Sequence, residues 1–429
     1  MIPATELSNR RKKLLEMMEE DSVAVLYAGV PKNKSADETY PFEVNRNFYY
    51  LTGIDQEDSR LILLKSKGEL KEYLFVSPYD EKKEKWYGKK LTLSEASHIS
   101  GVSNVLTTKS FESQLHTFLS GSLDEFSDTK CLYIDLEKEL KVAPSTSTND
   151  VKSTLSAAYQ EIEFINVYPL ITRLRLHKSN REINELRYAI RATRDGLLAA
   201  WAKLKPGVYE YEIADEFLRA VNDSSGYQGL AFPTIAASGI HATILHYPTP
   251  LAKIEDGDLL LLDLGARCSY YCADVSRTVP ANGRFTPLQL KAYNIVLSCN
   301  KMVANMAKPG VTIDELQTAT KEFLARECVL AGLLEKKEDI EKYYFHGVSH
   351  LIGLDTHDPL DDPNSKEYRK MALEPGMVIS NEPGLYMADK GIGIRIEDDL
   401  LITNDGCEVL TADIIKEPHE IENLLTYGR

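Results

Sequence analysis

Apolar and polar positions along the chain fall into two regimes. In the first, short apolar runs alternate with helical patterns. SVAVLYAG, NFYYLTG, RLILLKS, EYLFVS and CLYIDL read as strands, each rich in β-branched, aromatic or leucine residues and bounded by polar turn formers. At the start, a helix placing Leu7, Leu14, Leu15 and Met18 on one side fits the spacing. SPYDEKKEKWYGKKL reads as a charged loop or helix, and FESQLHTFLSG as a helix. A polar, turn-rich stretch, PSTSTND, occupies residues 144–150.

The second regime opens after FINVYPLITRLRLHKS. Ser179 and Glu182 form an S-x-x-E capping box, and helical periodicity then runs to about Leu204, where Pro206-Gly207 stops it. The domain boundary is placed near residue 170. KLKPGVYEYEIADEFLRAV at 203–221 resembles MAKPGVTIDELQTATKEFLA at 306–325. In each, Lys-Pro-Gly-Val ends one helix and precedes an acidic amphipathic one. Strand-like runs follow both: LLLLDLG after the first, GMVISNEPG and GIRIEDDLLIT after the second. Pro-Gly alone is common helix punctuation, but the matching order on both sides predicts an internal duplication. A duplicated half pairs with its copy about a pseudo-twofold axis, and ligand sites favour such seams.

Composition narrows the chemistry. Lys plus Arg is 50 and Asp plus Glu is 65, a net −15, which disfavours nucleic acid or an anionic membrane surface as the partner. The six cysteines form no C-x-x-C and no zinc-finger spacing, so reduced thiols in a cytoplasmic protein are expected. The N-terminal segment lacks the apolar core of a signal peptide, and no run of 18 or more apolar residues predicts a membrane span.

GDLLLLDLGARCSYYCADVSRTV at 257–279 then stands out, because two aspartates interrupt strand-forming segments. A hairpin turning at Cys268-Ser269 sets Asp263 directly opposite Asp274. Carboxylates on one face at that spacing repel, so one takes a proton or a cation sits between them. A looser hairpin with one aspartate capping a turn is the alternative. Downstream, YYFHGVSHLIGLDTHD carries His346, His350 and His357. VISNEPGLY sets Glu382 at the end of an apolar run, and alternation in GIGIRIEDDLLIT points Arg395 and Glu397 one way and Ile394 and Ile396 the other. Four carboxylates with an imidazole suit Mn²⁺, Co²⁺ or Zn²⁺ at an oxygen-rich site, and five ligands suit two ions better than one tetrahedral ion.

These blocks, in this order and over nearly the whole chain, resemble the aminopeptidase P family of proline-specific metallo-aminopeptidases. SADETYPFEVNRNFYYLTG is similar to the family's N-terminal domain. TIAASGIHATILHY, the 257–286 block, HGVSHLIGLDTHD, LEPGMVISNEPGLY and GIGIRIEDDLLIT are similar to its catalytic blocks. The resemblance implies an α+β protein, with an α/β N-terminal domain (1–170) for assembly and access. A pseudo-twofold pita-bread catalytic domain (171–429) would follow. It implies two divalent ions, usually manganese, held by Asp263, Asp274, His350, Glu382 and Glu397. A dinuclear-metal-bound hydroxide would hydrolyse the first bond of peptides with proline second.

The resemblance also implies that Glu382 shuttles the proton, that His357 and His246 bind substrate and stabilise the oxyanion, and that His346 and Tyr386 line the substrate site. Arg395 would orient a ligand carboxylate. Asp37 and Trp86 resemble positions that approach a neighbouring subunit in a homodimer or homotetramer. Leu351 replaces a common aromatic, HDPLDDPNSKEYRK lacks a usual glycine, and His241 has no family role. Cys268 and Cys272 are expected to pack in the hairpin. Prolidase, which shares the ligands but cleaves dipeptides, is the alternative; a non-catalytic binding relative would lose ligands, and five are present.

Overall fold

Runs of β-branched, aromatic and leucine side chains become strands where a neighbouring run can cover them, and the N-terminal unit is built that way. This computed structural model describes residues 2–120, 129–136, 147–223, 227–360 and 367–427. One compact unit runs Met1–Arg175, and a second begins at Leu176.

In the N-terminal unit six strands form one mixed sheet, in the spatial order Asn104–Thr107, Glu69–Val76, Arg60–Ser66, Ser22–Tyr27, Cys131–Ile134, Glu163–Asn166. Ser22–Tyr27 runs antiparallel to Arg60–Ser66 and parallel to Cys131–Ile134. Val25, Ile62, Phe75, Phe111, Phe118 and Leu132 form a buried cluster on this sheet. Phe111, from the helix Phe111–Leu119, meets Phe75 edge to face with centroids 5.2 Å apart. The helix Ala4–Met17 buries Leu7, Leu14 and Leu15, and Met18 just beyond it is 3% exposed.

Two expectations change. NFYYLTG is not a strand but lies in the helix Arg46–Thr52. Asn45 caps it, its side chain accepting the Phe48 N–H at 2.9 Å, and Phe48, Tyr50 and Leu51 are all buried. A local cap and burial on neighbouring faces override the strand preference of the aromatics. The polar stretch at 144–150 runs into the helix Ser147–Ala158, while its first three residues lie outside the described ones. The charged segment beyond residue 77 holds the helix Glu81–Tyr87, in which no residue is buried.

In the second unit the capping box forms as read. Ser179 Oγ accepts from Glu182 N at 3.3 Å, the Glu182 carboxylate accepts from Ser179 N at 2.9 Å, and the helix spans Asn180–Lys203. The two KPGV segments make the same bonds. Gly207 N donates to Ile254 O (2.8 Å) and Ile254 N to Val208 O (2.9 Å). Gly310 N donates to Leu373 O (2.9 Å) and Leu373 N to Val311 O (2.8 Å). Both turns need a residue at positive φ, 97° at Gly207 and 91° at Gly310, where glycine carries no Cβ penalty. Each partner leads into a strand, Leu259–Leu264 or Val378–Asn381. Counting nine residues on, 254 to 263 and 373 to 382, reaches Asp263 in one half and Glu382 in the other. These matched halves are the α+β pita-bread arrangement.

Candidate metal centre

Leu259–Leu264 is the middle of three strands, between Ile235–Ser238 and Val275–Pro280, and all six of its residues are buried. A strand covered on both faces reads as an unbroken apolar run, and that run drives Asp263 into the interior, where it is 8% exposed. The hairpin register differs from the expected one. The turn falls on Ser269-Tyr270, both at positive φ (48° and 66°), and pairs Cys268 with Tyr271. Two successive left-handed residues give the primed turn whose twist matches that of paired strands. Asp263 therefore lies opposite Ser276, not Asp274. Because the shift in partner is two residues, Asp274 stays on the same face as a diagonal neighbour, within reach of side chains about 7–8 Å apart at the backbone. Beside it the strands press together: a Cβ on Gly265 would lie 1.9 Å from Ala273 O.

The glutamate side repeats the layout. Val378–Asn381 pairs with Asp398–Ile402, Asn381 opposite Asp398, so Glu382 and Glu397 leave the ends of neighbouring strands. Ligand atoms of Asp263, Asp274 and Glu397 all lie within 4.8 Å of one another, as do those of His350, Glu382 and Glu397, and of Asp274, His350 and His357. The five residues expected as ligands thus share one centre, and His357 joins its edge, its ring centroid 4.3 Å from that of His350.

The environment of these groups calls for cations. Burial first, then the nearby acids Asp263, Asp399 and Glu382, pushes the Asp274 carboxyl well above its ordinary value. Burial followed by Asp274, Glu382 and Asp263 does the same to Glu397, and burial raises Glu382. Asp263 Oδ2 accepts from Arg395 Nη2 at 2.6 Å, while its Oδ1 is buried without a hydrogen-bond partner. His350 Nδ1–H donates to Leu351 O (3.1 Å), and its Nε2 faces Asp274 Oδ2 (3.4 Å) and Glu382 Oε1 (3.5 Å). An imidazole nitrogen facing two carboxyl groups, an orphaned carboxylate oxygen and an all-oxygen-and-imidazole donor set fit hard or borderline divalent ions. Fixing Nδ1–H on a carbonyl also sets the tautomer a metal-binding histidine needs.

The remaining residues surround this core. Arg395, 4% exposed, spreads its guanidinium over Asp263, Tyr386 OH (3.0 Å) and Ser276 Oγ (2.8 Å). Ser276 Oγ in turn donates to Glu397 Oε2 at 2.7 Å. His346 Nδ1–H donates to Gly347 O (2.7 Å), leaving Nε2 to accept from Tyr386 OH at 2.8 Å. Burial, then Arg395, pushes His346 down to about 3, so the ring is neutral; burial, then His350, pushes His357 down to about 4. The Tyr386 hydroxyl is spent on Arg395 and His346, and burial pushes it up to about 12.

His246 is exposed in a turn, near enough to His346 and His357 that its charge opposes their protonation. Its loop is anchored by Glu210, a residue the motifs do not reveal. Glu210 is fully buried. Its Oε1 accepts from Ser238 N (2.7 Å), Ser238 Oγ (2.8 Å) and His241 Nδ1 (3.2 Å), and its Oε2 from Ala252 N (3.0 Å). His241, with no role in the sequence reading, completes that clip and stacks on Tyr247, centroids 4.6 Å apart. The loop presses on the strand Ile392–Arg395, where a Cβ on Gly393 would lie 2.1 Å from Ala242 O. Ser276 was missed too, although strand alternation from Asp274 puts it on the same face. Cys268 and Cys272 are both buried, as expected. Asp37 lies in an exposed turn, and Trp86 is 81% exposed.

Comparison with known proteins supplies the identification. Residues 184–404 match Metallopeptidase family M24, and residues 7–125 match the Aminopeptidase P, N-terminal domain. The Xaa-Pro aminopeptidase of Escherichia coli (strain K12) is 33% identical, over 100% of this chain and 99% of that protein. A structure assigned provisionally to aminopeptidase P, from Bacillus anthracis, superposes with a TM-score of 0.94 at 40% identity, covering 99% of this chain and 98% of that one. Zn-substituted E. coli aminopeptidase P in complex with product superposes at 0.88 with 31% identity, covering 100% and 99%. The chain belongs to metallopeptidase family M24, with the aminopeptidase P form of N-terminal domain.

Proposed function

We propose that this M24 metallopeptidase is an Xaa-Pro aminopeptidase, releasing the first residue of peptides whose second residue is proline. The observation that carries the reading is the convergence of Asp263, Asp274, His350, Glu382 and Glu397, drawn from both halves, around one buried acidic centre. Those five side chains would hold two divalent ions, manganese in our reading, with cobalt or zinc able to substitute. Bound there, the ions would supply Lewis-acid polarisation of the scissile carbonyl and a water acidified enough to attack near neutral pH.

The chain's own groups do the rest. Glu382, raised by burial and flanked by His350 and His346, takes the proton of the attacking water and delivers it to the leaving proline nitrogen. His357, kept neutral by burial, and His246 face the substrate carbonyl from the rim and donate to the oxygen on which charge develops. His346 and Tyr386, bonded to each other, wall the proline side. Arg395 pins Asp263 Oδ2, so that Oδ1 is the oxygen left for an ion.

The N-terminal unit, with Asp37 and the exposed Trp86, meets a second copy in a homodimer or homotetramer and limits access. The enzyme works in the cytoplasm. Among the described residues no helix is long and apolar enough to cross a membrane.

The test is metal content together with hydrolysis of Xaa-Pro and Xaa-Pro-Yaa peptides by one preparation. Cleavage of the longer peptides, lost on chelation and restored by Mn²⁺, is the expected result. Activity confined to dipeptides would make the enzyme a prolidase, and cleavage persisting in verified ion-free protein would overturn the metal-dependent reading.

A further inference from the structure

The two glutamates arrive from different strand ends, so their spacing depends on the backbone just before each. Asn381 precedes Glu382, and Ile396 precedes Glu397. One side chain touches both. Asn300, on the helix Pro287–Met306, is fully buried, and its Nδ2 donates to Asn381 O at 3.3 Å and to Ile396 O at 3.2 Å. The side chain of Asn381 answers with a bond from its Nδ2 to Asn300 O at 2.8 Å.

The amide has one workable orientation. Its Oδ1 accepts from Lys416 Nζ at 2.9 Å. Turned over, it would set an oxygen against two carbonyls and an NH₂ against an ammonium, so the network itself assigns oxygen and nitrogen. Lys416 is held by Asp398, to which it also donates. Asp398 accepts from Arg277 Nη2 (2.8 Å) and Thr411 Oγ1 (2.8 Å), and Arg277 Nη1 donates to the carbonyl of Glu397 (2.5 Å). Both glutamate-bearing segments are therefore bonded to one amide, whose orientation is fixed by an ion pair. In the chain's other KPGV half, 103 residues earlier (205 against 308), the corresponding helix position is Leu197.

We propose that Asn300 is a positioning residue for the metal centre. It sets the separation of Glu382 and Glu397 through the carbonyls that precede them, and Lys416 locks its amide. The inference rests on the reading of those glutamates as ligands. Asn300 touches neither substrate nor ion, so its effect is on how well the pair of glutamates fits its ions. Groups behind metal ligands typically contribute about 10–100-fold in affinity.

The experiment is titration of chelator-stripped full-length protein with Mn²⁺ alone, read by calorimetry and by the Mn²⁺ paramagnetic resonance signal. The variants are Asn300→Leu, Asn300→Asp and, as a stability control, Val296→Ala from the same buried helix face. The Asn300 variants are expected to bind Mn²⁺ about 10–100-fold more weakly. Val296→Ala is expected to melt at a lower temperature with unchanged affinity. A folded Asn300 variant that binds Mn²⁺ as tightly as the parent overturns the proposal. If neither Asn300 variant folds, Lys416→Met decides: it frees the amide from the rim, and an affinity equal to the parent's overturns the proposal in the same way. A parent protein that takes up no Mn²⁺ overturns both this inference and the functional reading, whereas equal binding by parent and variant overturns the inference alone.

Discussion

At corresponding strand ends of the two halves, Asp263 has a guanidinium at 2.6 Å, while Glu382 faces two imidazoles, His350 at 3.5 Å and His346 at 3.6 Å. Arginine keeps its charge at every accessible pH and grips a carboxylate through a planar fork. An imidazole is a softer neighbour, and the Ser380 hydroxyl, at 3.4 Å, is a weak additional donor to Glu382. The partner strands differ as well. Glu397 stands across from Glu382, whereas the residue across from Asp263 is Ser276, and Ser276 bonds to Glu397. One duplicated plan therefore carries two jobs. On the proposed reading, the aspartate half is the fixed wall of the centre, and the glutamate half holds the carboxylate that would move a proton.

The contrast can be broken from either side. Stripping the ions disables both halves together, and peptide hydrolysis should fall about 10³-fold or more, consistent with several kcal/mol of Lewis-acid stabilisation; rates before and after Mn²⁺ restoration check it. If Glu382 is the mobile carboxylate, Glu382→Gln should lower kcat by about 10²–10⁴-fold with the peptide still bound. An equal loss in KM alone would assign Glu382 to the wall instead.

Ser276→Ala removes the hydroxyl that joins Arg395 to Glu397 and should weaken metal affinity by about 10–100-fold, measured by titration of stripped protein. Gly265→Ala tests the hairpin itself. A methyl 1.9 Å from Ala273 O should destabilise by about 1–3 kcal/mol or more, seen as a lower Tm.

The smallest effect is a pH trend. Asp274 and Glu397 are raised in the ion-free fold, so the folded protein holds protons that the unfolded chain has already released. Ion-free stability should then fall as pH rises above the ordinary carboxylate range, about 4. Mn²⁺ must displace those protons, so its affinity should rise with pH, and the gap in Tm between loaded and stripped protein should widen. Melting curves from pH 5 to 8 and proton release in buffers of different ionisation enthalpy check both signs.

Much of this centre could be read from the chain because its signals are local or periodic. The Ser179–Glu182 box needs four consecutive residues, and the KPGV turns need a glycine where φ is positive. The expected hairpin turn was misplaced, yet Asp263 and Asp274 still share a face, since a two-residue change of partner preserves strand parity. NFYYLTG was misread because its residues favour a strand while Asn45 and the surrounding core favour a helix. Glu210, Ser276 and Asn300 were not found at all. Each is an ordinary polar residue that acquires meaning from partners elsewhere: Ser276 and Glu397 lie 121 residues apart, and Asn300 and Asn381 lie 81 apart.

The sequence by itself determined the two matched halves, the acidic and histidine donors, and the faces they occupy, because turn chemistry and strand alternation act over a few residues. Tertiary structure alone decided which carboxylate meets arginine, which meets histidine, and what holds the glutamates apart. Those outcomes depend on distances between segments remote in the chain, and burial gives each such contact its electrostatic weight.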